Sequence, residues 1–184
     1  MTWLNPPPAH DAQGDSLTLT TGQATDFWRK THYGFIRDNG HFLHHAVTAD
    51  FSAEVTISAR YDALYDQAGL MLRIDETRWV KAGIEMTDGQ PFFSTVITND
   101  RSDWSIVALP FAADRVRLRL TRHADAIRVQ VQRPDGGWMM TRLGYLSDGP
   151  AAVGIMACSP ERAGFVASFH DYTCGPAIDR ALHD

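Results

Sequence analysis

The chain contains few cysteines, no cluster of basic residues and no zinc-type cysteine pair. Its 184 residues include two cysteines, Cys158 and Cys174, which is too few for a domain built on disulfides. We expect two buried free thiols, with a bridge between them as the alternative. A formal charge of −5 and 17 scattered Lys and Arg residues disfavour nucleic acid or an anionic membrane as the main partner.

Long apolar runs are also missing. No run approaches the roughly 20 residues that a membrane helix needs. The N-terminus reads MTWLNPPPAHD and shows no basic region followed by an apolar one, as a signal peptide would. We therefore expect a soluble, cytoplasmic protein. No phosphate-binding glycine motif occurs, and we expect neither a cofactor nor a bound metal.

Strand patterns fill the chain from end to end. No window shows sustained helical periodicity, and turn residues recur at the spacing of roughly 8–12 residues that is typical of a sandwich or barrel. The sequence predicts an all-β fold of two packed antiparallel sheets, in one domain (1–184) with a core of about 17–176 and a short C-terminal tail. The predicted strands are 16–21, 41–46, 51–59, 67–74, 79–86, 91–98, 104–109, 116–121, 127–132, 138–143, 152–158 and 165–172.

Two neighbouring strands, 67–74 (QAGLMLRI) and 79–86 (WVKAGIEM), are the most informative. Side chains alternate between the two faces of a strand. The even-numbered positions of both stretches are all apolar and belong to a core. The odd-numbered positions mix charged, aromatic and glycine residues, and this second face is the predicted ligand surface.

The two strands are joined by a four-residue loop, 75–78. We predict a register that places Arg73 opposite Trp79 and Gly69 opposite Gly83. Facing glycines would leave a dip floored by backbone, and the close approach of a ligand or of another chain is one reason to keep glycine inside a strand. The alternative is a solvated sheet face whose cations pair with nearby acids. Five side chains around the dip are candidate ligand contacts: Gln67, Arg73, Trp79, Lys81 and Glu85.

The segment 25–33 (TDFWRKTHY) is rich in aromatic and polar residues. Trp28, His32 and Tyr33 are candidate walls of a binding pocket. The alternative is that the aromatic rings close one end of the sandwich. Asp103 and Trp104 follow a tight turn and complete the set of ten candidate ligand contacts. For Asp103, a bond to turn amides is favoured over a contact with a substrate.

Two apparent sites carry less weight. His41 and His45 would lie about 13 Å apart on a strand, with His44 on the opposite face, so we expect structural rather than metal-binding roles. The stretch 158–162 (CSPER) lacks the Gly-x-Ser-x-Gly context of a nucleophile.

Glycoside cleavage needs two carboxyl groups roughly 5 to 9.5 Å apart. Positions i and i+2 of one strand would meet this requirement, but no two acidic residues are two apart in this chain. Glu85 is the best single candidate. The sequence therefore favours binding over hydrolysis.

Five motifs together suggest a family. They are FWRKTHYGFIRDNGHFL, YDQAGLMLRID, RWVKAGIEMTDG, NDRSDWSIV and ACSPERAGF. Over about 17–176 the chain resembles a family of unknown function from bacteria and fungi, known as regulation of enolase protein, in the concanavalin A-like lectin/glucanase superfamily. The resemblance implies a jelly-roll sandwich with a concave sheet but no catalytic residues. It places six residues near the concave face or its rim: Gln67, Arg73, Lys81, Glu85, Asp103 and Trp104.

We accordingly expect a non-catalytic domain that binds a carbohydrate or small polar ligand on the concave sheet. The second hypothesis is a regulatory protein that binds a metabolic enzyme, as the family label suggests. The third is a glycoside-active enzyme that uses Glu85 with Lys81, since neighbouring opposite charges shift each other's pKa.

Overall fold

The computed structural model describes residues 1–182. These residues form sixteen strands and no helix, which confirms the all-β prediction, and none of them belongs to a helix that could cross a bilayer. The strands are Thr2–Leu4 (β1), Ala9–Gln13 (β2), Ser16–Thr20 (β3), Phe27–Arg29 (β4), Ile36–Asp38 (β5), His41–Val47 (β6), Phe51–Ala59 (β7), Gln67–Arg73 (β8), Arg78–Thr87 (β9), Gln90–Asn99 (β10), Arg101–Val107 (β11), Arg115–His123 (β12), Ala126–Gln132 (β13), Trp138–Tyr145 (β14), Ala151–Cys158 (β15) and Val166–Pro176 (β16).

Two seven-stranded antiparallel sheets pack face to face, as predicted. The first sheet has the order β1-β6-β15-β8-β9-β10-β11, and the second has the order β14-β13-β12-β7-β16-β3-β2. Neighbours such as β6 and β15 are distant in sequence, so the chain crosses repeatedly between the sheets. Strands β4 and β5 form a separate two-stranded sheet.

The main core lies between the two sheets. It is built from the alternating apolar residues that the sequence predicts to face inward. Leu70 and Leu72 of β8 are fully buried there with Val80 and Ile84 of β9, and Leu118 of β12 meets them from the second sheet. Each such side chain contributes about 1.5–3 kcal/mol to folding through its removal from water.

The register of β8 and β9 is the predicted one. Arg73 pairs with Trp79, and Gly69 pairs with Gly83. The two glycines make room for the neighbouring strand, however, and not for a ligand. A Cβ atom at Gly69 would lie 1.9 Å from the backbone oxygen of Ala82, so these positions are kept small by the neighbouring strand and not by a ligand.

The odd-numbered face of β8 and β9 was predicted to be an open ligand surface, but much of it is covered. Residues 22–40, the covering segment, contain β4 and β5 and lie across it. Phe27 and Trp28 of this segment form a second apolar cluster with Met71 and Trp79, both of which are 0% exposed. The aromatic rings thus cover the outer face of the first sheet and do not close an end of the sandwich.

His41 fastens one end of the covering segment. Its Nε2 accepts a hydrogen bond from the Gly22 amide at 2.9 Å, and its Nδ1 bonds to the Asn5 carbonyl oxygen at 2.7 Å. Burial lowers the pKa of His41, which favours this neutral form. Both contacts fit the structural role predicted for this residue.

All twelve predicted strands are present, and the four that sequence analysis missed are β1, β2, β4 and β5. Three of these have only three residues, and every residue of β2 is exposed. Such segments show no apolar alternation. Cys158 and Cys174 are free thiols, as expected, although Cys174 is only half-buried.

Candidate functional site

A cavity of about 120 Å³ lies on the outer face of the first sheet, beside the covering segment. Strands β8, β9 and β10 supply Gln67, Lys81, Glu85 and Val96 to its lining. The walls come from the covering segment, the loop before β8, strand β11 and the loop after β15. Several polar groups of the cavity therefore project from strands, which hold them in defined positions.

Lys81 and Asp26 form an ion pair in this cavity. Lys81 Nζ donates to Asp26 Oδ1 at 2.8 Å, and the two side chains are 4% and 14% exposed. Gln67 Nε2 donates to the same oxygen at 3.4 Å. Burial alone would lower the pKa of Lys81, but the charge of Asp26, with weaker contributions from Cys158 and Glu85, outweighs burial and raises it. The ion pair therefore favours the charged form of Lys81.

Glu85 is the second acid of the cavity. Its Oε2 accepts hydrogen bonds from the Ser94 hydroxyl and from the Trp104 indole, the latter at 3.2 Å. Burial raises the pKa of Glu85, against the opposing influence of Lys81. No described residue donates a hydrogen bond to Oε1, and Glu85 lines the cavity. That oxygen keeps its capacity to accept a hydrogen bond.

Five aromatic side chains line the cavity: Trp28, Tyr33, Phe35, Tyr65 and Trp104. Trp28 is buried, whereas Tyr33 is 49% and Trp104 36% exposed, so aromatic surface extends from the interior to solvent. The rings of Tyr33 and Phe35 stack with centroids 5.3 Å apart. The hydroxyls of Tyr33 and Tyr65 bond at 2.9 Å and join the covering segment to the loop before β8.

The conformation of the covering segment presents these rings. Lys30 and His32 have φ values of 60°, and Gly34 has 77°, which bends the connection between β4 and β5 sharply. The Lys30 amide bonds to the Phe35 carbonyl at 2.8 Å, and the Gly34 amide bonds to the Lys30 carbonyl at 2.8 Å. This compact turn carries Tyr33 and Phe35 to the cavity.

Six of the ten residues predicted from sequence to bind a ligand line the cavity together. They come from two distant parts of the sequence, the covering segment and the central strands of the first sheet. They are Trp28, Tyr33, Gln67, Lys81, Glu85 and Trp104.

Two predicted residues lie outside the cavity lining, in ion pairs. Arg73 donates to both carboxylate oxygens of Asp38, at 2.6 and 2.9 Å. Asp103 accepts from Arg142 at 2.9 Å instead of bonding turn amides. Arg73 is therefore a cation paired with a nearby acid, which was the alternative interpretation of this face.

Trp79 and His32 also lie outside the cavity lining. Trp79 is 0% exposed, and its ring packs 6.1 Å from that of Phe27. It has no surface on which a ligand could stack, because the covering segment occupies that surface. His32 is exposed and packs edge-on against Tyr33 at 4.8 Å.

Half of the lining was not predicted from the sequence. Three of these residues lie in segments that the sequence had drawn attention to, Asp26 in the aromatic stretch 25–33 and Pro160 and Glu161 in the stretch 158–162. In the latter, the Ser159 hydroxyl donates to the Arg162 carbonyl at 2.7 Å, which explains its role in a turn. The missed residues are Asp26, Phe35, Tyr65, Val96, Pro160 and Glu161.

The fold defines the class of protein to which the chain belongs. Its two sheets form a jelly-roll sandwich similar to the carbohydrate-binding module CBM66 from Bacillus subtilis, with a TM-score of 0.52 at 16% identity over 85% of this chain and 94% of that one. At this identity the similarity is one of fold alone. The chain is a jelly-roll domain with a partly polar cavity on one sheet.

The family follows from closer relatives. The family model described as "Protein of unknown function (DUF1349)" matches residues 3–177, and the chain belongs to this family. Regulation of enolase protein 1 of Saccharomyces cerevisiae is 42% identical over 184 residues, which is 100% of this chain and 93% of the yeast protein. The crystal structure of a functionally unknown protein from Saccharomyces cerevisiae has a TM-score of 0.93 at 41% identity, over 97% of both chains. These matches confirm the predicted resemblance.

Proposed function

We propose that the cavity binds a small polar ligand of the carbohydrate class and does not transform it. The observation that carries this proposal is that unbonded polar atoms and aromatic rings share one cavity. Glu85 Oε1 accepts no hydrogen bond from a described residue, and the ammonium group of Lys81 uses one donor on Asp26. Trp104 and Tyr33 provide flat apolar surface beside these groups. Hydroxyl groups and a ring face match this combination.

The volume of the cavity supports a ligand of one ring. About 120 Å³ is slightly less than the roughly 150 Å³ cavity that holds benzene and equals about four waters of liquid at ~30 Å³ each. Since the exposed Tyr33 and Trp104 line the cavity, part of a larger ligand can extend into solvent. A monosaccharide or the end of a short chain fits these dimensions.

The hydrogen bonds favour binding over catalysis. Asp26 already accepts from the Phe27 amide, Gln67 and Lys81 through one oxygen, so it acts as an anchor for the covering segment. Lys81 bonds to Asp26 and not to Glu85, which weakens the acid–base pairing considered from sequence. Since Asp26 is engaged, glycoside cleavage would require Glu85 to act with Glu161, the remaining acid of the lining.

A thermal-shift screen with monosaccharides, disaccharides and sugar acids tests the proposal. A bound ligand raises the unfolding temperature through mass action. We expect a rise of several degrees that Tyr33→Leu abolishes, because this change removes an exposed ring from the cavity lining. Tyr145→Leu is the matched control, since Tyr145 is 58% exposed on β14 of the second sheet. A screen without any hit would overturn the proposal.

Turnover is measured on the same panel. Release of product that depends on both Glu85 and Glu161, lost in Glu85→Gln and in Glu161→Gln, would replace the binding function with an enzymatic one. We expect unchanged sugars after prolonged incubation with the wild-type protein.

Binding of a metabolic enzyme is the second candidate function. It is favoured by the relative called Regulation of enolase protein 1 and by exposed apolar residues on the edge strand β14, where Met140 is 40% and Leu143 47% exposed. Titration calorimetry with purified enolase tests it. Saturable binding that Leu143→Lys weakens would support it, and the absence of heat would exclude it.

We also propose that residues 1–184 form a single domain in the cytoplasm. One cooperative unfolding transition that coincides by fluorescence and circular dichroism checks the first part. Cell fractionation of the tagged protein checks the second.

A further inference from the structure

We propose that the ligand of this cavity carries a positive charge, as an amino sugar or another small ammonium compound does. The inference rests on the proposed binding function and names its ligand more closely. It follows from the balance of charge in the cavity, from one unbonded carboxylate oxygen and from the surrounding rings.

Acidic groups outnumber basic ones in the cavity lining. The acids are Asp26, Glu85 and Glu161, and the one base is Lys81. Lys81 lies 2.8 Å from Asp26, so these two charges cancel locally. Neither Glu85 nor Glu161 forms an ion pair with a described residue, and a cationic ligand would stabilise the charged form of both.

The charges of both acids contribute to the raised pKa of Tyr65. The hydrogen bond with Tyr33 and partial burial raise the pKa of Tyr65 to about 12, and the negative charges of Glu85 and Glu161 act in the same direction. Both carboxyl groups are therefore close enough to influence one phenol that lines the cavity. A ligand beside Tyr65 would feel the same negative potential.

Glu85 provides the specific contact. It is 6% exposed, and its Oε2 is occupied by Ser94 and Trp104. Its Oε1 lacks a donor among the described residues. A buried carboxylate without a cation is costly, and a cation beside it would offset this cost. An ammonium group with N–H bonds, as in an amino sugar, would in addition form a charge-assisted hydrogen bond of about twice the usual strength at Oε1.

The aromatic rings suit the same ligand. Trp28, Tyr33, Phe35, Tyr65 and Trp104 line one small cavity together with Glu85. Cations are attracted to the faces of aromatic rings, and cages built from such rings recognise quaternary ammonium ions. A neutral sugar would use the ring surfaces but would leave the charge of Glu85 uncompensated.

Titration calorimetry near neutral pH with two matched pairs of probes tests the inference. The first pair is glucosamine and glucose, and the second is choline and its neutral analogue 3,3-dimethylbutan-1-ol. We expect the charged member of at least one pair to bind tenfold or more tightly than the neutral member. Preference for glucosamine identifies an amino sugar as the source of the ammonium group, and preference for choline identifies a simple alkylammonium compound.

Two variants attribute the preference to the cavity. Glu85→Gln keeps the size and the acceptor for Ser94 and Trp104 but removes the charge, and we expect it to reduce the ratio of charged to neutral binding at least tenfold. Glu76→Gln is the control, because Glu76 is an exposed acid in the loop between β8 and β9. Thermal melting checks that both variants fold. Tyr33→Leu provides a second test at a more exposed residue, and we expect it to weaken the binding of both charged probes.

The outcomes separate the two proposals. If glucose or another neutral sugar binds as tightly as its charged partner, the cationic ligand is excluded and the proposed binding function stands. If neither the charged probes nor the sugar panel binds, both proposals fail.

Discussion

The ammonium nitrogen of Lys81 lies 2.8 Å from Oδ1 of Asp26, which is 55 residues earlier in the chain. Lys81 belongs to β9 of the first sheet, and Asp26 belongs to the covering segment. This pair connects the sheet to the segment that completes the cavity. It is both a part of the cavity and a structural link.

Replacement of Lys81 tests the value of this link. Lys81→Met leaves the Asp26 charge poorly compensated, and breaking a buried pair in this way costs about 3–5 kcal/mol of unfolding free energy. The double variant Asp26→Asn/Lys81→Met removes both charges and should recover most of the loss. Urea denaturation measures both.

A surface pair provides the control for that experiment. Arg60 and Asp62 are 88% and 47% exposed in their side chains, so Arg60→Met should change the unfolding free energy by less than about 1 kcal/mol. A Lys81→Met variant as stable as Arg60→Met would show that the link to the covering segment contributes nothing.

Glu85 should make stability depend on pH. Its pKa in the folded protein is raised by burial, so the folded state holds this proton at pH values where the unfolded state, with a pKa of about 4.3, has lost it. Glu85 therefore destabilises the fold increasingly as the pH rises from about 4 toward its folded pKa. Each unit of the shift corresponds to about 1.4 kcal/mol.

Glu85→Gln should accordingly be more stable than the wild type near neutral pH and equal to it below about pH 4, where both side chains are neutral. Thermal melting at a series of pH values measures the difference. A constant difference between the two proteins across the series would contradict the raised pKa. Glu76→Gln, an exposed acid, should track the wild type.

The paired glycines of β8 and β9 should tolerate no side chain. In Gly69→Ala the new Cβ would meet the Ala82 oxygen at 1.9 Å, a backbone atom that cannot rotate away. We expect a loss of about 1–3 kcal/mol or more from the resulting overpacking. Gly175→Ala is the control within another strand, because no atom lies within 4 Å of its added Cβ. Equal unfolding midpoints for the two variants would refute this explanation of Gly69.

The ion pair of Arg73 with Asp38 should hold the covering segment closed. Its two hydrogen bonds of 2.6 and 2.9 Å connect β8 to β5, and we expect Asp38→Ala to speed amide exchange across 27–38 about tenfold, equivalent to about 1.4 kcal/mol of local opening. Hydrogen exchange followed by mass spectrometry measures it. The control is Asp135→Ala, in an exposed turn. If amide exchange is unchanged in Asp38→Ala, the apolar cluster alone holds the covering segment against the sheet.

Much of the fold could be predicted from local patterns. The alternation along β8 and β9 identified the face that packs into the main core, because a shift by one residue would turn every apolar side chain outward. It did not fix the register, since a shift by two residues keeps the same face with other partners. The short strands were not predicted, because they are too short or too uniformly buried to show alternation. The three residues of β4, Phe27–Arg29, are all buried and show no alternation to detect.

The cavity was only half predictable. Gln67, Lys81 and Glu85 are polar residues on one face of two recognisable strands, so the pattern indicated them. Tyr65 and Glu161 belong to loops that are almost 100 residues apart in the sequence, and nothing local relates them to each other.

Trp79 shows which features follow from the local sequence and which depend on the tertiary structure. Its position on the odd-numbered face of β9 follows from a period of two and needs only the residues beside it. Whether that face meets water, a ligand or another part of the chain depends on residues 22–40, which approach through long-range contacts such as Lys81 with Asp26. Alternation determines the face to which a side chain points, and only the folded chain decides what it meets there.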